Sequence, residues 1–321
     1  MKTLLKKGLG FLAAISTLSL VSAPTVEASE GIDTSVVNEA WGLPTFVYGG
    51  GLDDAQVEET ADLLGIDSME NVASVAVTGE DLQTYLGTGS GSTASMISSV
   101  LVQRENEGEG VTVIIETPDD ITQITEEQYI NAAITAGVED VTIMVASIRP
   151  VTGESALTGI YKAFDVNGED LDQDRMEVAQ EELETTNQIA QENSDEEDFD
   201  TSRFDQAIVE IKQQLADFRD RQDELATREE IEQIINDALA NNDLQNVISQ
   251  DQIDRLLAFF ERYQQTGAID SAQVREQLEQ FSNDLRDRFG DVWQQAEDSG
   301  LIDQIGNFFR QIWDAIRGLF N

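Results

Sequence analysis

The chain has 321 residues and carries 63 Asp and Glu residues against 19 Lys and Arg residues, a formal net charge of −44 at pH 7. A surface this acidic repels nucleic acids and anionic lipid head groups over about 8 Å at physiological salt, so no nucleic-acid partner is expected. The sequence contains neither His nor Cys, which excludes imidazole and thiolate catalysis, disulfides and zinc sites built from these ligands. An enzyme of this composition would have to use carboxylates, hydroxyls, Arg, Lys or an oxygen-bound metal.

The first 28 residues have the layout of a secretory signal peptide. Three lysines are followed by an uncharged run over residues 8–25, and the small residues Val26 and Ala28 precede Ser29 as at a cleavage site. The run contains hydroxyl residues and is shorter than the ~20 apolar residues of a spanning helix, so a retained membrane anchor is the less favoured alternative. We predict cleavage after Ala28 and a secreted, extracytoplasmic protein of the cell-wall zone or medium. Without the three lysines and one glutamate of residues 1–28, the chain keeps 16 basic and 62 acidic residues, a net charge of −46.

Residues 29–165 alternate short β-rich runs with short helical patterns, which predicts a sheet with helices packed on it. Strands are predicted at residues 45–48, 72–78, 97–102, 111–116 and 141–148, and helices at 53–64, 80–86, 125–138 and 152–164. The polar segment 105–110 joins the third and fourth strands. Gly49-Gly50-Gly51 indicates a tight turn that needs positive φ, and the composition of residues 87–95 indicates a flexible loop.

The strand patterns stop after Asp165. Residues 166–200 are predicted to form a polar helix and an acidic linker. From residue 201 to 321, apolar residues recur at helical spacing, beginning with a seam of Phe204, Ile208, Ile211, Leu215, Phe218 and Leu225. Each seam spans only two to three heptads, which favours an antiparallel bundle over an extended coiled coil. The predicted fold class is α+β: an N-terminal mixed α/β sheet domain followed by an all-α helical bundle.

Several short motifs in the first half of the chain form a characteristic combination. They are Gly51-Leu52 with Gln56, Tyr85-Leu86-Gly87, Ile97-Ser98-Ser99-Val100, Gly110-Val111-Thr112-Val113, Ile121-Thr122, Tyr129, Ala133-Ile134-Thr135-Ala136-Gly137 and the run from Pro150 to Phe164. With these motifs the segment from Gly49 to about Phe164 resembles the YpuA-like proteins, an exported Gram-positive family catalogued as a domain of unknown function. The resemblance implies secretion. It brings no agreed activity and no catalytic residues.

The strongest candidate site lies in residues 149–162. A strand ends at Arg149-Pro150, and the helix predicted from Thr152 would offer free backbone N–H groups to an anion. A carboxylate-bearing ligand would suit the set Arg149, Thr152, Gly153, Ser155, Thr158 and Lys162. The alternative, favoured because helix starts are far commoner than bound anions, is that Thr152 and Ser155 cap the helix and Gly153 allows close packing.

The acidic run 165–181 has calcium-loop spacing, with Asp170, Asp172 and Asp174 at positions one, three and five and Glu181 at position twelve. Arg175 stands where the sharp turn of an EF-hand needs Gly, so a high-affinity EF-hand is excluded. Weak, unspecific binding of divalent cations to acidic clusters is expected, a specific metal site is left unknown, and no cofactor is expected. No catalytic pair can be selected, because 62 acids supply pairs at glycosidase spacing whatever the function.

The last segment, residues 301–321, has a broad apolar face that includes Phe309, Ile312, Trp313, Ile316 and Phe320. Such a helix can lie on a membrane or dock a partner. Its polar face carries only two Arg residues, fewer than interfacial helices usually have, so a bundle helix that buries this face is favoured and membrane contact is not.

These patterns favour an exported, non-catalytic protein that binds a cell-envelope component or another exported protein. A carboxylate- or hydroxyl-dependent hydrolase of wall polymers or peptides is the first alternative. A membrane-surface protein held by the terminal helix is the second.

Overall fold

The computed structural model of the chain describes Ile32, Thr34 and residues 40–87 and 92–297, with side chains up to residue 288. These residues form a five-stranded mixed sheet with helices, followed by further helices, which confirms the α+β class. The predicted signal peptide, residues 1–28, and the predicted terminal face with Trp313 lie outside the described residues.

The strands of the sheet are β1 (Thr45–Gly49), β2 (Ala73–Val77), β3 (Ser99–Arg104), β4 (Val111–Ile115) and β5 (Val141–Ala146). Their order is β2-β1-β3-β5-β4, with β1–β2 and β4–β5 parallel and β1–β3 and β3–β5 antiparallel. β3 and β4 follow one another along the chain but are not neighbours. β5, the most apolar strand, lies between them and pairs with both.

The described helices are α1 (Asp54–Leu63), α2 (Gly79–Leu86), α3 (Glu126–Ala136), α4 (Ser155–Val166), α5 (Gln173–Glu192), α6 (Thr201–Gln222), α7 (Arg228–Asn241), α8 (Gln250–Tyr263) and α9 (Ala272–Glu297). α3 begins with a capping box at Thr125, and α7 begins with one at Thr227. In a capping box, the side chain of the cap residue and that of the residue three positions later each accept a hydrogen bond from the other's backbone N–H. The start of α3 agrees with the sequence prediction. Short 3₁₀ turns occur at Met69–Asn71 and Thr93–Ser95.

Alternation along the strands divides the sheet into two apolar faces. Val100 belongs to the large core cluster that also holds α3 and α4 residues, whereas Leu101 faces the cluster with Ala61 and Leu64 beside α1. Helices therefore cover both faces of the sheet. Successive side chains of a strand point to opposite faces, so a strand that is apolar at every position needs a covering layer on each side.

The large core cluster also includes side chains of the helical half of the chain. Leu183 of α5, Val209 of α6 and Leu278 of α9 pack into it. α5, which the sequence predicts as a polar helix before a linker, buries Met176, Val178 and Leu183 and packs most extensively on α3. The domain boundaries predicted at residues 165 and 200 stay a prediction. The large core cluster nevertheless contains apolar side chains from both sides of residue 165.

A second apolar cluster fills the space among α6, α7 and α8. The seam predicted for α6 is buried from Phe204 to Leu215 and partly buried at Phe218. The prediction is wrong for Leu225, which is exposed. α6 ends at Gln222, and Asp223 adopts a left-handed conformation that turns the chain before Leu225.

Candidate binding cleft at the start of helix α4

A cleft of about 330 Å³ opens at the start of α4. α2, the segment 95–98, the turn before α4, and α5 form its walls. Its lining residues are Leu82, Leu86, Ser95, Met96, Ser98, Val151, Thr152, Gly153, Glu154, Ser155, Gln180 and Glu184. A volume of this size falls at the lower end of the ~300–1,000 Å³ range of small-molecule sites.

Hydrogen bonds fix the turn that forms one wall of the cleft. Val151 N donates to Asp120 O at 2.8 Å, and Thr122 donates to Val151 O through both its backbone N at 2.9 Å and its hydroxyl at 2.8 Å. The buried Tyr129 hydroxyl donates to Gly153 O at 2.6 Å. Gly153 has a φ of 107°, and a Cβ there would come within 2.6 Å of the Tyr129 hydroxyl oxygen. Only glycine fits this turn, so the wall is preorganised.

α4 begins later than the sequence predicts. Its first helical residue is Ser155, and Glu154 occupies the N-cap position without a capping hydrogen bond from its side chain. The prediction of a start at Thr152, capped by Thr152 and Ser155, is therefore wrong. At this end Ala156 N donates to Gly153 O at 3.0 Å, and the half-buried Ser155 presents its side chain to the cleft.

Buried polar atoms near the cleft lack partners. Ser98 lines the cleft and is 1% exposed, yet its hydroxyl oxygen has no hydrogen-bond partner among the described residues. The same holds for the hydroxyl of Thr158, one turn into α4 and fully buried, and for Oε1 of Gln180. Buried polar groups in proteins are nearly always hydrogen-bonded, so unpaired ones beside a cleft indicate a place for a bound polar group.

The electrostatic character of the cleft is acidic. Burial raises the pKa of Glu154, the charge of Glu184 raises it further, and the hydroxyl of Thr152 opposes the shift. Gln180 Nε2 donates to Glu184 Oε1 at 2.9 Å. Neither Lys nor Arg is among the lining residues. This arrangement favours a cationic or hydrogen-bond-donating ligand over an anion.

The structure brings together only part of the predicted anion site. Thr152, Gly153 and Ser155 line the cleft, and Thr158 is buried beneath the start of α4. Arg149 is exposed and does not line the cleft. Lys162 lies two turns further along α4, where its Nζ pairs with Asp81 at 2.7 Å. Both cations of the predicted set are thus elsewhere, while Glu154 and Glu184 stand at the cleft.

The glycine triplet positions the segment that forms the opposite wall. Gly50 N donates to Val77 O at 2.8 Å and Gly51 N donates to Met96 O at 2.9 Å. None of the three glycines has positive φ, so the predicted reason for the glycines is wrong. The actual reason is close backbone approach: a Cβ on Gly50 would lie 2.7 Å from Val77 O, and one on Gly51 2.8 Å from Ala94 O.

Replacing Gly49 with Ala is expected to lower the free energy of unfolding by about 1–3 kcal/mol, because the new Cβ would overlap the backbone of Met96 and Ile97. Urea unfolding followed by circular dichroism measures the change. Gly267→Ala is the control, since Gly267 has no atom within 4 Å of such a Cβ and no positive φ. An equal effect of the two substitutions would contradict the close-approach explanation.

A larger surface groove, about 440 Å³, lies between the acidic segment 197–200 and the turn after α7. Its basic side chain, Arg203, already pairs with Asp243 at 3.2 Å. None of its lining residues is among the buried side chains that lack a hydrogen-bond partner. The smaller cleft at α4 is therefore the stronger candidate site.

The acidic run that resembles a calcium loop has structural roles. Asp172 caps α5 by accepting from Arg175 N at 3.0 Å, and Glu181 pairs with Arg262 of α8. Among the described side chains, those of residues 40–87 and 92–288, no three acidic groups are arranged as metal ligands. In the same residues no helix is both long and apolar enough to cross a membrane.

A buried ionic cluster that the sequence analysis missed joins α3, α5 and α6. Lys212 Nζ pairs with Glu182 and donates to Asn131 O at 3.0 Å, and the Thr135 hydroxyl donates to the second Glu182 oxygen at 2.6 Å. The side chains of Lys212 and Glu182 are 0% and 1% exposed. Because Glu182 and Asn131 of the protein itself already partner this enclosed ammonium, the cluster is structural.

Asp205, about two helical turns before Lys212, is also buried, and neither of its oxygens makes a hydrogen bond of good geometry among the described residues. Burial, followed by the charges of Glu127 and Glu182, raises the pKa of Asp205 well above its ordinary value. Burial lowers the pKa of Lys212, whereas the charge of Glu182 raises it. The arrangement indicates a neutral Asp205 near the Lys212–Glu182 pair.

Together the mixed sheet, the packed helices and the cleft define an α+β protein with a preorganised, acidic, ligand-sized cavity at a helix start. The chain belongs to the DUF1002 family, proteins of unknown function, whose family model matches residues 48–281. The uncharacterized protein YpuA of Bacillus subtilis strain 168 is 28% identical to it over 292 residues, 89% of this chain and 92% of that protein. No solved structure matches.

The resemblance predicted over residues 49–164 is thereby confirmed, and the match is longer than predicted. It continues through α5 to α8 and into α9. The matched region therefore includes most of the sheet and the helices packed against it.

Proposed function

We propose that the chain is an exported, non-catalytic protein that binds a small polar component of the cell envelope in the cleft at α4. The observation that carries the proposal is the Ser98 hydroxyl, which is buried at the cleft without a hydrogen-bond partner. Export is supported by the signal-peptide layout of residues 1–28. The membrane-surface alternative depends on residues 301–321, which lie outside the described part of the chain.

The composition of the cleft favours binding over catalysis. Ser98, Ser155 and Thr152 supply hydroxyls, but no Lys lines the cleft and the sequence has no His to activate a hydroxyl as nucleophile. Apolar side chains of α2 and Met96 lie opposite the polar groups. A mixed apolar and polar lining of this kind holds a small ligand in one orientation.

The proposal predicts that the chain from Ser29 onward co-sediments with purified Bacillus cell-wall sacculi. Ser95→Trp, which places an indole in the cleft from an exposed lining position, should reduce the bound fraction at least tenfold at equal protein concentration. The amount of protein in the pellet, measured over a range of sacculus concentrations, gives the apparent affinity.

Ala55→Trp is the matched control, because Ala55 is an exposed small residue of α1 and does not line the cleft. It should bind as the unmodified chain does. Failure of the unmodified chain to sediment, or equal losses in both variants, would contradict envelope binding through this cleft.

A carboxylate-dependent hydrolase is the second candidate, favoured by one observation. Glu154 has a raised pKa beside Glu184, and two carboxyl groups with unequal environments can act as acid and base. The test is the release of soluble fragments from sacculi. Release by the unmodified chain, lost in Glu154→Gln while binding is retained, would establish the hydrolase and overturn the non-catalytic proposal.

A further inference from the structure

We propose that the cleft at α4 recognises a primary ammonium group carried by a short, partly apolar ligand such as an amino acid or a peptide amino terminus. This inference rests on the proposed function, because it assigns a ligand class to the same cleft. It is carried by two carboxylates that line one cleft without a basic side chain, together with the buried Ser98 hydroxyl and Gln180 Oε1, which lack hydrogen-bond partners among the described residues.

The two carboxylates share one cleft. Glu154 is half-buried and Glu184 is exposed on α5, both line the cleft, and neither has a Lys or Arg within ion-pair distance among the described residues. The charge of Glu184 acts directly on Glu154. An ammonium group between them would replace this repulsion by two attractions.

The rest of the cleft matches the remaining parts of such a ligand. An ammonium group has three N–H donors and no acceptor, and Gln180 Oε1 is an unpartnered acceptor on the same wall as Glu184. The hydroxyl of Ser155, which lines the cleft at the start of α4, can donate to a carbonyl oxygen next to the amine. Leu82, Leu86 and Met96 form an apolar surface for a side chain.

A divalent cation is the competing occupant for two carboxylates. Calcium takes six to eight oxygen ligands, usually with several carboxylates, and the described residues include no group of three acids arranged for a metal. The apolar wall of α2 would also have no role in holding a bare ion. The observations therefore favour the amine.

The test is a titration of the chain from Ser29 onward with leucinamide, which carries an ammonium, a carbonyl and an apolar side chain. Binding is followed by calorimetry or by amide chemical shifts. N-acetyl-leucinamide, in which the amine is blocked, should bind at least tenfold more weakly. Glu154→Gln and Glu184→Gln should each weaken leucinamide binding at least fivefold, and Glu58→Gln, an exposed site in α1, should not change it.

Equal binding of the two compounds, no binding of leucinamide, or displacement of leucinamide by millimolar calcium would each overturn the assignment. The glutamine variants should unfold at the same temperature as the unmodified chain, which separates loss of binding from loss of fold. If leucinamide fails these tests but the chain still binds sacculi, and Ser95→Trp weakens that binding, only the amine assignment fails and the proposed function stands. If leucinamide binds but sacculi do not, the envelope proposal fails alone.

Discussion

Replacing Lys212 with Met is expected to lower the free energy of unfolding by about 3–5 kcal/mol. The ammonium of Lys212 is fully buried and pairs with Glu182, which is equally enclosed. Its removal leaves a buried carboxyl group without its counter-ion and leaves Asn131 O without the donor it binds at 3.0 Å. Equilibrium unfolding in urea, followed by far-ultraviolet circular dichroism, measures the loss.

Lys162→Met is the matched control, because Lys162 is the second lysine after residue 28 and also pairs with an acid, Asp81. Its side chain is 19% exposed, so water compensates for the lost pair and the expected loss is about 1 kcal/mol. Lys212→Met combined with Glu182→Gln should recover much of the stability lost in Lys212→Met alone, since Gln can still accept from Thr135. Equal losses for the two lysines would show that the buried pair does not stabilise the fold.

The sequence predicts the helices better than it predicts the sheet order, because the two depend on interactions of different range. The capping boxes at Thr125 and Thr227 are complete within four residues, so their starts can be derived locally. The insertion of β5 between β3 and β4 depends on pairing of Val141 with both Arg104 and Val111. Nothing local to residues 97–116 encodes that pairing.

The burial of α5 shows a related limit. Its composition is polar, yet Leu183 and Ala179 lie in the main core, and the buried Glu182 is matched by Lys212 from another helix. Read alone, α5 lacks an apolar face wide enough to predict burial. Burial becomes predictable only once its partner helices are known.

The candidate cleft was predictable only in part, because some of its residues are adjacent in the chain and others come from distant segments. Thr152, Gly153 and Ser155 are adjacent in the chain, and their composition marks a strand-to-helix turn. The groups that determine the charge and the hydrogen bonding of the cleft, Glu184 and Ser98, come from distant segments. Lys212 did carry a local signal, because it stands at helical spacing from Ile208 and Leu215 in the apolar seam of α6.

Replacing Asp205 with Asn is expected to stabilise the chain at pH 8 and to reduce the dependence of its stability on pH. Burial, with the charges of Glu127, Glu182 and Asp200, raises the pKa of Asp205 well above its ordinary value, and only the hydroxyl of Thr125 opposes the shift. In the unfolded chain an Asp titrates near pH ~3.9. The native state thus holds the proton more tightly than the unfolded state.

The sign follows from this difference in proton binding. The stability associated with a neutral Asp205 is fully present below pH ~4 and is lost as the pH rises from there through the raised pKa of the folded state. Asn is neutral at every pH and nearly isosteric with protonated Asp, so the variant avoids this loss. The free energy of unfolding, measured at pH 4, 6 and 8, should therefore be higher for Asp205→Asn than for the unmodified chain by an amount that increases with pH.

Asp284→Asn is the control, because Asp284 is exposed on α9 and its substitution removes the same charge from an already acidic chain. It should change stability by no more than about 0.5 kcal/mol at any of the three pH values. Because the charge of Asp205 raises the pKa of Lys212, an ionised Asp205 would instead support the ammonium. In that case Asp205→Asn would destabilise the chain at pH 8, and the neutral assignment for Asp205 would be wrong.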